Sequence, residues 1–221
     1  GRKFMKVDVV IFGAGGFGRE IADTFAQSKV LSEKYNLIGF YDDTLSKGEI
    51  VNGLEVLGNS DDILDSSFSA PLAIVLALGN GQSRSEVAKR FEGKCIFPTI
   101  IHESANISPT AKIAQGCVIQ ANCIVAANAT IGEFVVMNAN SGAGHDTNIG
   151  DFASIMSFCD VAGCSVLEEY CFLGTGVKVI PNIRVAKNSI LCAGSIVFRE
   201  VKKPSKLMGN PAKIIEVFEY E

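Results

Sequence analysis

Two adjacent residues in this chain could share and move a proton. His145 and Asp146 stand in the run SGAGHDTNIGD, residues 141–151. An imidazole ordinarily titrates near neutrality, so it can take a proton from an amine or hydroxyl and release it again. A neighbouring carboxylate favours the imidazolium as it forms. The same pair could equally be the polar tip of a glycine-rich surface loop, and only the surrounding pattern separates the two readings. The second histidine, His102, lies 43 residues away.

A second chemical signature opens the chain. After the short β-branched run VDVVIF, residues 7–12, come Gly13, Gly15 and Gly18 in G-x-G-x-x-G spacing, and a helix over 19–27 follows directly. Such glycines let the backbone turn sharply and approach a phosphate, and the free amides of the helix start face the anion. A second strand, NLIGFYDD, ends in Asp42 and Asp43, placed to accept from ribose hydroxyls. A third, LAIVLALG, leads into Gly79 and a further helix. These elements predict a Rossmann-like α/β domain, βαβ in pattern, over residues 1–98. About 95 residues make roughly half a full dinucleotide fold, so a mononucleotide, or a nucleotide joined to something else, fits better than NAD.

The elements that must position the His-Asp pair come from a repeat. Stepping by six from Ile101 to Val197 meets Ile, Leu or Val at every position except Met137 and Ala143. Four places after each stands a small or β-branched residue, such as Cys117, Cys123, Ser141, Cys159 or Cys171. Neither helix nor strand periodicity yields a period of six, and a sustained short repeat marks a solenoid. The pattern predicts a parallel β-helix of triangular coils, about 18 residues each, with the aliphatic column stacked inside and coils spaced by the ~4.8 Å ladder distance. It occupies 99–221, and Ala212 to Phe218 closes it as a short helix or strand. In this register His145 projects outward between Ala143 and Ile149, and Gly163 lies one coil further on.

Composition narrows the class. Charged residues are 20 % and the net charge is −4, which gives no reason to expect nucleic acid. No apolar run approaches the ~18 residues that span a bilayer, and VDVVIF has no cleavage site and is no signal peptide. Met5 fits a natural start, with residues 1–4 left from expression. Seven cysteines without a CxxC pair argue against a disulfide framework and for a reducing, cytoplasmic setting. The thiols at the small position serve as packing. Residues 199–213 carry five bases and one acid, a local basic tail.

Together, IFGAGGFGREI, GFYDD, unbroken hexapeptides with GHDTNIGDF, and GNPAK resemble the bacterial sugar acyltransferases of the sialic acid O-acetyltransferase type, which include N-acetyltransferases of UDP-4-amino sugars. The resemblance runs from about Val7 to Lys213. It implies a left-handed winding, a homotrimer, acetyl-CoA as co-substrate and no metal. It implies His145 as general base with Asp146 behind it, and Asn138 near the acceptor. Acetyl-CoA would lie against Gly163, Thr175 and Ala193, and the acceptor's uridine nucleotide against Gly15, Gly16, Phe17, Asp42, Asp43, Gly79 and Gln82. Where some members have a second histidine on acetyl-CoA, this chain has Ser154.

Geometry adds to this. The Gly163 N–H, one coil beyond His145, could donate to a thioester oxyanion, and the basic tail could meet coenzyme A phosphates. The resemblance, with a nucleotide-binding front domain, implies N-acetylation of a UDP-4-amino sugar. Alternatives are O-acetylation of sialic acid or another sugar hydroxyl, a non-catalytic nucleotide-sugar-binding trimer, a zinc hydratase, and an NAD oxidoreductase. The two histidines stand more than two coils apart, so one chain cannot bring both to one metal.

Overall fold

The computed structural model describes residues 5–219, and they divide into two compact units at Ile100/Ile101. In the first, six strands form one sheet: β1 (Val7–Phe12), β2 (Tyr35–Tyr41), β3 (Ile50–Val51), β4 (Leu54–Gly58), β5 (Leu72–Leu76) and β6 (Cys95–Ile96). The order is β3-β4-β2-β1-β5-β6, parallel except for the β3–β4 hairpin. Central β1 ends in four buried residues, and all of β5 is buried, as strands covered on both faces require. The helices are α1 (Gly16–Gln27), α2 (Lys29–Lys34), α3 (Ser60–Asp65) and α4 (Gly81–Phe91).

The first connection leaves β1 toward β2 and the later one returns to β5 on the other side, so the chain reverses direction between β1 and β5. In open α/β sheets ligands bind at this switch point, outside the carboxyl ends of the strands. Gly18 shows why the loop there needs glycine: a Cβ would collide with the Gly13 carbonyl, because α1 is seated directly on the turn. The sequence reading started α1 three residues late and did not anticipate α2, α3 or the β3–β4 hairpin. These are short elements, held by local caps such as Asn59 on Asp62 and Ser28 on Leu31.

The second unit is a parallel β-helix of two-residue strands on three faces. Consecutive coils pair in parallel at a spacing of 18, for example Val136 with Ser154 and Asn148 with Val166. The inward column, including Ile119, Ile131, Ile149, Leu167 and Leu191, is fully buried and forms one continuous core. The small positions also face inward, but they do more than fill space. Ser141 and Ser165 hydroxyls donate to carbonyls fifteen residues on, at 2.8 Å, and Cys117, Cys123, Cys159 and Cys171 thiols do so at 3.0–3.3 Å. These groups satisfy buried carbonyls that an alanine would leave to other partners.

From Gly116 onward the corners place a residue in the left-handed region, where Asn is the favoured non-glycine. Asn122, Asn128, Asn140, Asn182 and Asn188 do this, and so do Phe134, Phe152 and Tyr170. Those three rings form one column, stacked 5.1 and 5.3 Å apart between centroids. At the C-terminal end β7 (Ser205–Gly209) continues the first face, and β8 (Ala212–Val217) turns back antiparallel on it, settling the tail as a strand. His102 stays local: its Nδ1 accepts the Ser104 amide at 3.1 Å. No helix among the described residues is long and apolar enough to cross a membrane.

Candidate functional site

His145 and Asp146 occupy the corner that joins the second face (strand Gly142–Ala143) to the third (Asn148–Ile149). Asp146 takes the left-handed conformation of that corner, φ 56°, and its Oδ2 lies 2.8 Å from Nδ1 of His145. In a neutral ring, a carboxylate on Nδ1 favours the tautomer with the proton there, which leaves the Nε2 lone pair free. The imidazole is open to solvent, with 66 % of the side chain exposed.

Beneath the ring lies Gly163, one coil further on. A Cβ there would collide with Nε2 of His145 and come within 2.7 Å of Cε1, so the ring rests on bare backbone. Among the described residues the Gly163 amide meets no backbone acceptor. A base with a free nitrogen and an unused N–H donor thus stand side by side, which is what a proton-abstracting step through an oxyanion needs.

The other residues singled out for acetyl-CoA fall elsewhere on the prism. Thr175 and Ala193 are exposed at the corner between the first and second faces, one coil apart. Asn138 sits at that same corner, half-buried, with Nδ2 3.4 Å from the Met156 sulfur and Oδ1 buried without a hydrogen-bond partner. Ser154 pairs with Val136 and Phe172 on the first face and is 1 % exposed, so its hydroxyl is not presented at the surface. Within one chain these groups and His145 therefore stand on different corners.

In the first unit, Gly15, Gly16, Phe17, Asp42, Asp43, Gly79 and Gln82 collect at or just beyond the carboxyl ends of β1, β2 and β5. No side chain caps α1, whereas the Asn80 side chain caps α4 through the Ser83 amide. Of these two helix starts, α1 is the one left to receive an anion. Both acids already have partners. Asp42 accepts from the Ala14 amide at 2.8 Å and from the Thr44 and Leu45 amides and the Thr44 hydroxyl. Burial raises its pKa, but these donors together outweigh burial and hold it below the ordinary carboxylate value. Asp43 accepts from the Ser60 amide and hydroxyl at the start of α3. A ribose would share these oxygens rather than find them free.

Two residues were missed from sequence. Arg84 is 1 % exposed, and its guanidinium donates to the Leu78 carbonyl at 2.8 Å, fixing the loop that carries Gly79. Cys164, exposed, comes within reach of His145 and Asp146. Its signal was available: 164 is 146 plus one coil of 18.

Comparison with known proteins agrees with this architecture. Residues 8–91 match the PglD N-terminal domain and 98–133 the bacterial transferase hexapeptide of six repeats. GDP-perosamine N-acetyltransferase of Escherichia coli O157:H7 is 29 % identical over 178 residues, 78 % of this chain and 79 % of that protein. The acetyltransferase domain of PglB from Neisseria gonorrhoeae FA1090 superposes with a TM-score of 0.88 at 27 % identity, covering 94 % of this chain and 99 % of that one. Its complex with acetyl coenzyme A gives 0.87 at 26 %, covering 96 % and 100 %. From the Gly-rich switch point to the hexapeptide prism, the chain joins a PglD N-terminal domain to bacterial transferase hexapeptides and is homologous to the sugar acetyltransferases of the GDP-perosamine and PglB kind.

Proposed function

We propose that this protein transfers the acetyl group of acetyl-CoA to the amine of a nucleotide-linked 4-amino sugar, with His145 as general base. The observation that carries the reading is the His145 corner, where Nδ1 is tied to Asp146 and Nε2 is free over the Gly163 amide. The relatives support it: one is an N-acetyltransferase of GDP-perosamine, and another is an acetyltransferase domain that binds acetyl coenzyme A.

The amine nitrogen attacks the thioester carbonyl while Nε2 of His145 takes its proton. The Gly163 N–H steadies the oxyanion, a contact worth about 10²–10³ in rate per donor in characterised cases. As the C–S bond breaks, the imidazolium returns the proton and coenzyme A leaves as the thiol. The product is an amide, and no metal enters. Nucleotide phosphates of the acceptor would meet the uncapped start of α1 near Gly15, Gly16 and Phe17, with Asp42, Asp43, Gly79 and Gln82 around them. Lys202, Lys203, Lys206 and Lys213 would serve the coenzyme phosphates.

Thr175, Ala193 and Asn138 lie one corner away from His145, so a site using all of them takes those residues from a neighbouring copy. This placement supports a homotrimer. Sequence favours a UDP-linked acceptor; the perosamine relative favours GDP. Incubation with acetyl-CoA and both series of 4-amino sugars, following thiol release and amide mass, decides between them. His145→Ala is expected to lose about 10²–10⁴ of turnover. Wild-type turnover in that variant would remove His145 from the mechanism.

A further inference from the structure

Cys164 differs from the thiols of the aliphatic core. Cys117, Cys123, Cys159 and Cys171 are buried, and burial pushes Cys171 up to about 12. Cys164 is exposed at the His145 corner, with φ 63°, in the left-handed position one coil beyond Asp146. One ligand atom from each of His145, Asp146 and Cys164 lies within 4.8 Å of the others. We propose that these three side chains form a capture site for a soft divalent cation of the zinc class, and that its binding takes the imidazole away from acyl transfer.

The donor set selects the ion. Thiolate and imidazole favour Zn²⁺ over Mg²⁺ or Ca²⁺, which prefer oxygen shells. Zinc holds sulfur at about 2.3 Å and nitrogen or oxygen at about 2.0–2.2 Å, so ligand atoms around one ion stand roughly 3.5 Å apart. Closing from 4.8 Å takes side-chain movement of about an ångström, and all three side chains are exposed. Three protein ligands leave a fourth tetrahedral position to water. Either ring nitrogen disables the base: an ion on Nε2 occupies the lone pair, and one on Nδ1 displaces the proton shared with Asp146. Cys164 takes no part in acyl transfer; it acts only as a ligand that makes this corner metal-sensitive.

The effect on turnover rests on the proposed role of His145, whereas binding does not, so the two are measured separately. The full chain, without substrate, is titrated with Zn²⁺ by equilibrium dialysis and with Co²⁺ by absorption. One ion per chain and a thiolate-to-cobalt charge-transfer band are expected. Cys164→Asn, the residue type this corner takes at Asn128 and Asn182, should abolish the band and weaken zinc binding at least tenfold; Cys164→Ser should do the same. Unchanged binding or an unchanged band in both variants overturns the site, as does uptake well below one equivalent in the wild type. Turnover is then followed against zinc. Inhibition that tracks wild-type occupancy and shifts at least tenfold in Cys164→Ser supports the coupling. Binding without inhibition leaves the site standing and overturns the claim that the ion takes the base.

Discussion

At the scale of single residues, the His145 ring has its seat because bare backbone lies where a side chain would intrude. Gly163→Ala puts a methyl group into the space of the His145 ring. The ring is exposed and can swing aside, so the fold should survive while the base leaves its seat. Turnover should fall by at least tenfold, with the melting temperature nearly unchanged; loss of both together would point to general unfolding instead. Thiol chemistry separates equally by position. In the native protein a maleimide should label Cys164 well before Cys171 or Cys95, the latter raised to about 11 by burial, as peptide mass mapping would show.

Asp42 carries an acid sensitivity. Its folded pKa lies below its unfolded value, so its contribution to stability is present above the ordinary carboxylate range near pH 4 and is lost as pH falls through the lower folded value. Asp42→Asn should cost about 1–3 kcal/mol at neutral pH and flatten that acid limb, measured by thermal melts from pH 7 to 3.

At the scale of elements, the repeat was legible because each coil meets the same environment as the one before it. The aliphatic residue of every hexapeptide must face the axis, so the register could be read across nearly a hundred residues. Shorter pieces left no comparable trace: α3 is six residues, held by the Asn59–Asp62 capping box. The Asn corners follow from known left-handed preference, but Phe134, Phe152 and Tyr170 do not. Their unfavourable backbone is offset by stacking on rings a full coil away. The same distance hid Cys164, which has no chemical neighbour in sequence and acquires two only when the coil closes. His145 and Asp146 were visible because they are adjacent; the division of site residues between two corners was not. The core column sets stability, and Ile149→Ala should cost about 2–5 kcal/mol in denaturant unfolding, since the side chain is fully buried.

At the scale of the molecule, the proposed function needs more than one copy. Sedimentation should give a trimer, and a fully active monomer would end the idea that neighbouring corners complete the site. The last hairpin bears on a different hazard. A stack of identical coils has no intrinsic stopping point, because its final rung presents unpaired amides and carbonyls to any strand of matching pitch. Here β8 returns antiparallel along β7, with Lys213 and Glu216 on that outer strand, so the first face ends on a charged, reversed strand and not on another coil. Charge on an edge strand disfavours pairing with another chain, so the hairpin should oppose filament growth. A chain cut after Glu200 should scatter light increasingly with concentration, while the full chain keeps a fixed size.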